Sequence, residues 1–219
     1  MKYPNTKFLI GVFLFVMLVC SAVVANAGAW LTTDKGVKVW TEKVQSGLNF
    51  SWSGGANASG FATGEGILQS FQDGIPTEKY SGSMSGGKKN GYGINLSADG
   101  TIFEGSYIAG QRSGEGTNVW PDGNHYKGGW VEDKQSGRGV FTWANGDQYN
   151  GDYDKGQRSG KGVMVWVNGD QYRGSFLNGK LNGRGTYIWA DGKRYEGEWL
   201  DGRPSGKVNL PIVLDILPN

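Results

Sequence analysis

The chain has little of the chemistry on which most enzymes and metal sites depend. Its 219 residues include one cysteine, Cys20, and one histidine, His125. A histidine-based triad or a histidine metal cluster cannot be assembled from one imidazole, and a lone cysteine cannot form a disulfide framework. No carboxylate pair recurs at a fixed spacing. We therefore expect no enzymatic activity, cofactor, metal or small-molecule substrate; a hydrolase acting on cell-envelope substrates through carboxylates is the alternative.

An excess of charge of one sign is also missing. The chain has 22 Lys and Arg against 20 Asp and Glu, a net charge of +2. Lys2 and Lys7 lie in a segment that we expect to be removed, which would leave 20 basic and 20 acidic residues. Net charge then gives no reason to expect nucleic acid as a partner, and only local charge arrangement matters.

The only long hydrophobic run lies at the N-terminus and is typical of a secretory signal peptide, residues 1–27. Two lysines precede an uncharged apolar run, residues 8–24, and Ala25-Asn26-Ala27 forms an A-x-A cleavage site. We expect an exported protein, periplasmic or extracellular, whose mature form contains no cysteine. The alternative is an uncleaved N-terminal membrane anchor, because the run approaches the length that spans a bilayer.

The rest of the chain is dominated by a pattern that recurs every 23 residues, without insertion or deletion, across residues 80–202. Position 0 of each unit is aromatic, position 2 is glycine, and position 4 is bulky. The residues at position 0 are Tyr80, Phe103, Tyr126, Tyr149, Tyr172 and Tyr195, and those at position 4 are Met84, Tyr107, Trp130, Tyr153, Phe176 and Trp199. A period of this length is typical of repeat architectures.

Each unit is predicted to be a β-hairpin. A short β-prone run leads to an Asn-Gly or Asp-Gly pair such as Asn168-Gly169, which favours a two-residue type I′ turn with positive φ at both residues. Strand alternation then places Tyr149 and Val165 on one apolar face. The glycine at position 2 would leave a slot for aromatic rings. The following Gly-x-x-x-Gly-x-Gly segment is predicted to be a loop.

These features predict an all-β fold: an elongated, twisted antiparallel sheet of consecutive 23-residue hairpins, capped at both ends. Residues 28–79 would hold an N-terminal strand and a degenerate first repeat, residues 80–208 the array, and residues 209–219 an apolar C-terminal cap. The alternative for the tail is docking into a partner. At about 4.8 Å per strand, six regular units would extend the sheet by about 60 Å.

Two sets of residues are candidates for binding. The first is an aromatic column on the face opposite the Tyr-Gly-aromatic residues; its alternative interpretation is ladder packing within the sheet. It comprises Trp120, Phe141, Trp143, Trp166, Tyr187 and Trp189. The second is a basic loop edge that could bind anions; its alternative interpretation is a set of ordinary solvated loops. It comprises Arg112, Arg138, Arg158, Lys161, Arg184 and Lys207.

The repeat resembles the membrane occupation and recognition nexus (MORN) repeat. Tyr195-Glu196-Gly197-Glu198-Trp199 with Gly202 and Gly206 carries the resemblance most completely, and it covers roughly residues 50–208. The resemblance implies a twisted sheet of hairpins that acts as a scaffold or protein-binding surface, with phospholipid contacts proposed for some members. It further implies that catalytic members carry their activity in another domain.

Taken together, we expect a non-catalytic exported scaffold that binds a protein partner, as a subunit of an envelope or membrane complex. The alternative is a module that binds anions, phospholipid headgroups or acidic glycans at a membrane or glycan surface through the basic loop edge.

Overall fold

The computed structural model describes residues 28–205. The predicted signal peptide, the last residues of the array and the predicted C-terminal cap lie outside the described residues. Within residues 28–205 the secondary structure consists of strands and turns. No helix long and apolar enough to cross a membrane occurs in that part of the chain.

Seventeen strands are present in the described residues. They are β1 Ala29–Thr32, β2 Lys38–Thr41, β3 Leu48–Trp52, β4 Gly55–Ala56, β5 Ala62–Gln72, β6 Ile75–Ser85, β7 Lys88–Leu96, β8 Ile102–Ile108, β9 Gln111–Val119, β10 His125–Val131, β11 Lys134–Thr142, β12 Gln148–Asp154, β13 Gln157–Val165, β14 Gln171–Leu177, β15 Lys180–Ile188, β16 Arg194–Leu200 and β17 Arg203–Ser205.

Strands β5 to β17 form one long open sheet in which each strand pairs antiparallel with its neighbours in sequence. The order runs from β17 back to β5 without a crossover and ends at β3, while β4 pairs with the start of β5. A separate hairpin of β1 and β2 lies beside the first repeats, where the Trp40 amide donates to the Gly87 carbonyl at 2.8 Å. The predicted antiparallel sheet of consecutive hairpins is confirmed.

The extra residues before the regular array lengthen a hairpin. Trp52 and Tyr80 are 28 residues apart, five more than the repeat period of 23. In the structure β5 and β6 are each 11 residues long, against 9 and 7 for β13 and β14. Most of the surplus therefore extends paired strands and does not form a loop.

Two kinds of turn alternate along the sheet, and the predicted assignment of turn type was wrong. The two-residue type I′ turns lie between positions 4 and 9, as at Lys155 and Gly156, whose φ angles are 48° and 87°. At Asn168-Gly169 only the glycine has positive φ, 94°, and the Trp166 amide donates to the Asp170 carbonyl at 2.9 Å. This is a three-residue loop with a type I turn and a glycine bulge.

The longer loop shifts the strand register by one residue and reverses the predicted faces. Tyr172 pairs with Met164, where a two-residue turn would have paired it with Val165. Because alternate residues of a strand point to opposite faces, Met164 and Trp166 join the tyrosines, while Val165 turns to the other side. The predicted apolar set containing Val165 was therefore wrong, and so was the placement of the tryptophans on the opposite face.

The core is a column of aromatic rings on a single sheet. Tyr149 is fully buried, and its ring lies over its own strand, within reach of any Cβ added at Gly151 or at the paired Gly162. Its hydroxyl donates to the Asp152 carbonyl at 2.9 Å. The predicted slot above the position 2 glycine is thus confirmed.

Edge-to-face contacts join the position 0 and position 4 rings across successive units. Tyr149 meets Tyr153 and Phe176 with ring centroids 5.3 and 4.9 Å apart. Equivalent contacts continue from Tyr80 to Trp199. Such pairs contribute about 0.5–1.5 kcal/mol each beyond area burial, so the repeats stabilise one another through this column.

Candidate binding faces

The sheet presents two faces of different chemistry. We call the side that carries the position 0 and position 4 rings the aromatic face, and the other side the polar face. Strands β7 to β16 contribute to both faces, because consecutive side chains alternate. The predicted Gly-x-x-x-Gly-x-Gly loop is part of a strand, as Gln157–Val165 shows, so its basic residues lie on the faces of the sheet. The predicted basic loop edge was wrong.

The six residues predicted to bind a partner lie together in one row at the turn side of the aromatic face; we call it the tryptophan row. Phe141 contacts Trp120 and Trp143, with centroids 5.5 and 4.6 Å apart. Tyr187 contacts Trp166 and Trp189 in the same way, at 5.3 and 4.9 Å. Trp189 is 38% exposed and the other five are half-buried. The five half-buried rings pack against the core and keep part of their surface accessible, and Trp189 packs against Tyr187.

Hydrogen bonds between neighbouring turns hold the row in place. The Asp147 carboxylate accepts from the Val167 amide of the next unit, and the Asp170 carboxylate accepts from the Ala190 amide, both at 2.8 Å. The two donating residues, Val167 and Ala190, directly follow Trp166 and Trp189 of the row. Fixed turns therefore present the tryptophans at a regular spacing, set by two strands per unit.

The hydroxyl of Tyr187 donates to the Asp170 carboxylate at 2.7 Å. Burial, and secondly the hydrogen bond to Asp170, raises the pKa of Tyr187 to about 12. The same hydrogen bond, as the first cause, lowers the pKa of Asp170. Burial also raises the pKa of Tyr80, Tyr149 and Tyr172 to about 12.

These pKa values predict alkaline unfolding. A tyrosine in the unfolded chain ionises near about pH 10, so unfolding releases protons above that pH. The stabilisation is complete below about pH 10 and is lost as pH rises through about 12. We expect the urea midpoint, followed by tryptophan fluorescence, to fall steeply from pH 10 to 12, and less steeply in Tyr187→Phe. A midpoint that stays constant to pH 12 would contradict this expectation.

The residues predicted to bind anions do not form one surface. Arg112 and Arg158 lie on the aromatic face, where Arg158 sits 5.5 Å from the Trp143 ring and donates to the Gly179 carbonyl at 2.6 Å. Arg138, Lys161 and Arg184 lie on the polar face, because they occupy a repeat position three residues later. Lys207 lies outside the described residues.

On the polar face, Arg138, Lys161 and Arg184 share a groove with Arg173. The cavity volume is about 540 Å³, and one carboxylate, Glu196, is among its lining residues. Sequence reasoning missed Arg173, which is at position 1 of its unit, where other units have Ser, Glu, Lys or Asn. Its pairing opposite Val163 and Thr186 places it between Lys161 and Arg184.

A second cavity, of about 650 Å³, was not anticipated from the sequence. It lies between the chain after β2 and the aromatic face of the first repeats, and Trp40, Tyr80, Lys89 and Asp133 are among its lining residues. Polar residues of these units could have indicated it from the sequence. In the structure Lys89 donates to Glu78 and to Asn95, both at 2.6 Å. The cavity itself depends on where the N-terminal hairpin packs.

No group of three or more His, Cys, Asp or Glu side chains in residues 28–205 is arranged to hold a metal ion. His125 lies at the start of β10, exposed on the polar face.

The fold and its two open faces define a β-hairpin repeat protein, and comparison with known families identifies the repeat. The MORN repeat family matches six consecutive segments, residues 80–102, 103–125, 126–148, 149–171, 172–194 and 195–207. The matches cover more than half of the chain, which therefore belongs to the MORN repeat family. Repeats of this family are binding modules and are generally not catalytic.

Among solved structures, one similar chain is the TCP domain of SAS-4 (dCPAP) from Drosophila melanogaster, determined with a proline-rich motif of Ana2 (dSTIL). The two chains are 9% identical, with a TM-score of 0.37, over 90% of this chain and 99% of the other. A comparison with curated proteins found no match.

Proposed function

We propose that this protein is a non-catalytic, exported repeat scaffold that binds a protein partner through the tryptophan row. The observation that carries the proposal is a row of six aromatic side chains, five of which are half-buried against the core while Trp189 is 38% exposed. Trp and Tyr are enriched among the residues that dominate binding energy in protein interfaces. The membership in a family of binding repeats supports the same role.

The spacing of the row suits an extended segment of the partner. Two strands per unit separate successive tryptophans by about 9.6 Å along the sheet. A polyproline II segment repeats every three residues, or about 9.3 Å, so side chains at that interval would meet successive tryptophans. Aromatic-lined grooves are the usual receptors for such segments. We propose a proline-containing extended segment as the partner's contact.

Export is the second part of the proposal, and the sequence of residues 1–27 supports it. The apolar run and the A-x-A site predict a mature chain that begins at Gly28 in the periplasm or outside the cell. Determining the N-terminal residue of the native protein distinguishes this from the anchored alternative, since a chain that retains Met1 in the membrane fraction would contradict cleavage.

The test is capture of the partner from the native envelope fraction, followed by affinity measurement with the purified partner. Replacing Trp143 and Trp166 together by Ala is expected to weaken binding by about 30-fold or more, since a hot-spot residue contributes at least about 2 kcal/mol. The matched control is Val119→Ala with Val165→Ala. These exposed apolar residues precede Trp120 and Trp166 but face the other side.

Circular dichroism and the urea midpoint check that each variant is folded. Trp143→Phe with Trp166→Phe keeps ring packing and should retain part of the affinity. If the folded double-alanine variant binds the same partner as tightly as the wild type, the tryptophan row is structural and the proposal fails.

A further inference from the structure

The groove on the polar face is a cationic site separate from the tryptophan row. It crosses six neighbouring strands, from Arg138 on β11 to Glu196 on β16, which corresponds to about 24 Å. Its lining includes four cations, Arg138, Lys161, Arg173 and Arg184. The side chains of Arg138 and Arg184 are 74% and 75% exposed, so they are free to reorient toward a ligand.

The pairing of these cations leaves part of their charge uncompensated. Arg138 is 3.7 Å from Asp152, and Arg184 is 3.3 Å from Glu196. Within residues 28–205, Lys161 and Arg173 form no ion pair; the Lys161 ammonium donates to the Ser175 hydroxyl at 2.7 Å. Exposed pairs of this kind contribute little to folding stability, so a ligand anion can compete for the arginines at small cost.

The spacing of the charges distinguishes between classes of polyanion. Arg138, Lys161 and Arg184 occupy the same position in three successive units and therefore lie about 9.6 Å apart along the sheet. Polyphosphate and nucleic acids carry charge more densely than this. A polysaccharide with a single carboxylate per disaccharide has its anionic groups at a comparable spacing.

The uncharged and acidic groups in the groove favour the same class. Asn150 and Thr186 line it beside the cations, and Ser175 lies next to Lys161. With the Glu196 carboxylate in the lining and the Asp152 carboxylate beside Arg138, they supply acceptors for sugar hydroxyls. Those two carboxylates would repel a densely charged polymer or an anionic lipid surface more strongly than a polysaccharide with widely spaced charges.

We propose that the polar-face groove binds a linear acidic polysaccharide, with Arg138, Lys161 and Arg184 each contacting a carboxylate and Arg173 between the last two. The site does not depend on the proposed partner function, because the tryptophan row lies on the other face. The protein could then hold a polysaccharide and a protein partner simultaneously.

The test is titration of the mature protein with an unsulfated oligosaccharide of alternating glucuronic acid and N-acetylglucosamine, followed by calorimetry. Binding by the wild type is expected to weaken with added salt. Lys161→Gln with Arg184→Gln should weaken it by about tenfold or more, because two charge-assisted hydrogen bonds are lost. Lys134→Gln with Lys155→Gln removes the same charge outside the groove and should leave binding unchanged.

Three comparisons complete the experiment. The same oligosaccharide with its carboxyl groups reduced should not bind the wild type. Polyphosphate of equal total charge and phosphatidylglycerol vesicles should bind more weakly than the oligosaccharide. The proposal is overturned if the wild type does not bind the oligosaccharide, if both double variants lose affinity equally, or if polyphosphate or vesicles bind more tightly through Lys161 and Arg184.

Discussion

Gly151→Ala is expected to lower the free energy of unfolding by about 3 kcal/mol, the upper range for overpacking a core. A Cβ at Gly151 would lie 2.4 Å from the Tyr149 hydroxyl and 2.6 Å from the Gly162 backbone. The backbone of the paired strand cannot move aside without breaking its ladder. The tyrosine ring is also held, because it contacts Tyr153 and Phe176 and its hydroxyl bonds to the main chain.

The matched control is Gly156→Ala in the type I′ turn that follows. Gly156 has a φ of 87°, and an added Cβ would meet no atom within 4 Å. The expected cost is therefore only the left-handed backbone penalty, about 1 kcal/mol. Urea unfolding followed by tryptophan fluorescence measures both variants. Equal losses would show that the tyrosine and the paired backbone do not restrict position 2.

Arg112→Ala is expected to lower the free energy of unfolding by about 2 kcal/mol, less than for a fully buried ion pair because Arg112 is partly exposed. The Arg112 side chain lies 4.3 Å from the centre of the Trp130 ring. Its guanidinium donates to the Asp133 carboxylate at 2.9 Å, to the Asp133 carbonyl at 3.0 Å, and to the Asn118 side-chain carbonyl at 3.1 Å. Removing it leaves both partners without their cation.

A second substitution, at Asn118, tests the stability lost in Arg112→Ala. It is fully buried, and its amide nitrogen has no hydrogen-bond partner among the described residues. Met164 occupies the same repeat position beside Arg158, whose guanidinium is 3.7 Å from the methionine sulfur. Adding Asn118→Met to Arg112→Ala should therefore recover about 1 kcal/mol by removing an unsatisfied buried amide.

Arg184→Ala is the control for Arg112→Ala. Arg184 also forms an ion pair, but its side chain is 75% exposed, so its loss should change stability by less than about 0.5 kcal/mol. Urea midpoints of the two single variants measure how much stability each arginine contributes. If Arg112→Ala costs no more than Arg184→Ala, the Arg112 network contributes nothing beyond a surface pair.

Asp133 departs from the repeat pattern, and the structure shows the contacts that this residue makes. It stands where the other regular units have glycine, and it keeps the turn conformation with a φ of 65°. Left-handed backbone is unfavourable for a residue with a side chain. Its carboxylate accepts hydrogen bonds from the main chain and side chain of Arg112, at 3.0 and 2.9 Å. The sequence shows that Asp133 replaces a glycine, but its partner Arg112, 21 residues away, is known only from the structure.

The tryptophans were predicted on the wrong face because the turn sequence is compatible with two loop types. Asn168-Gly169 suits a type I′ turn and also a type I turn with a glycine bulge, because both need positive φ at the glycine. The two differ in the conformation of the asparagine and in one residue of register. In the structure the Asn168 side-chain carbonyl accepts from the Asp170 amide at 3.0 Å within the loop, and the equivalent bond recurs in the other loops of this kind.

The sequence by itself determined the hairpin array, its period, the buried aromatic residues at positions 0 and 4, and the glycine slot. These follow from patterns that each unit repeats, and a repeated local rule can be read from one chain. The tertiary structure alone decided which face the tryptophans share, which basic residues meet in the groove, and where the N-terminal cavity lies. The physical reason is strand alternation: a change of one residue in the register of a loop moves every following side chain to the other face.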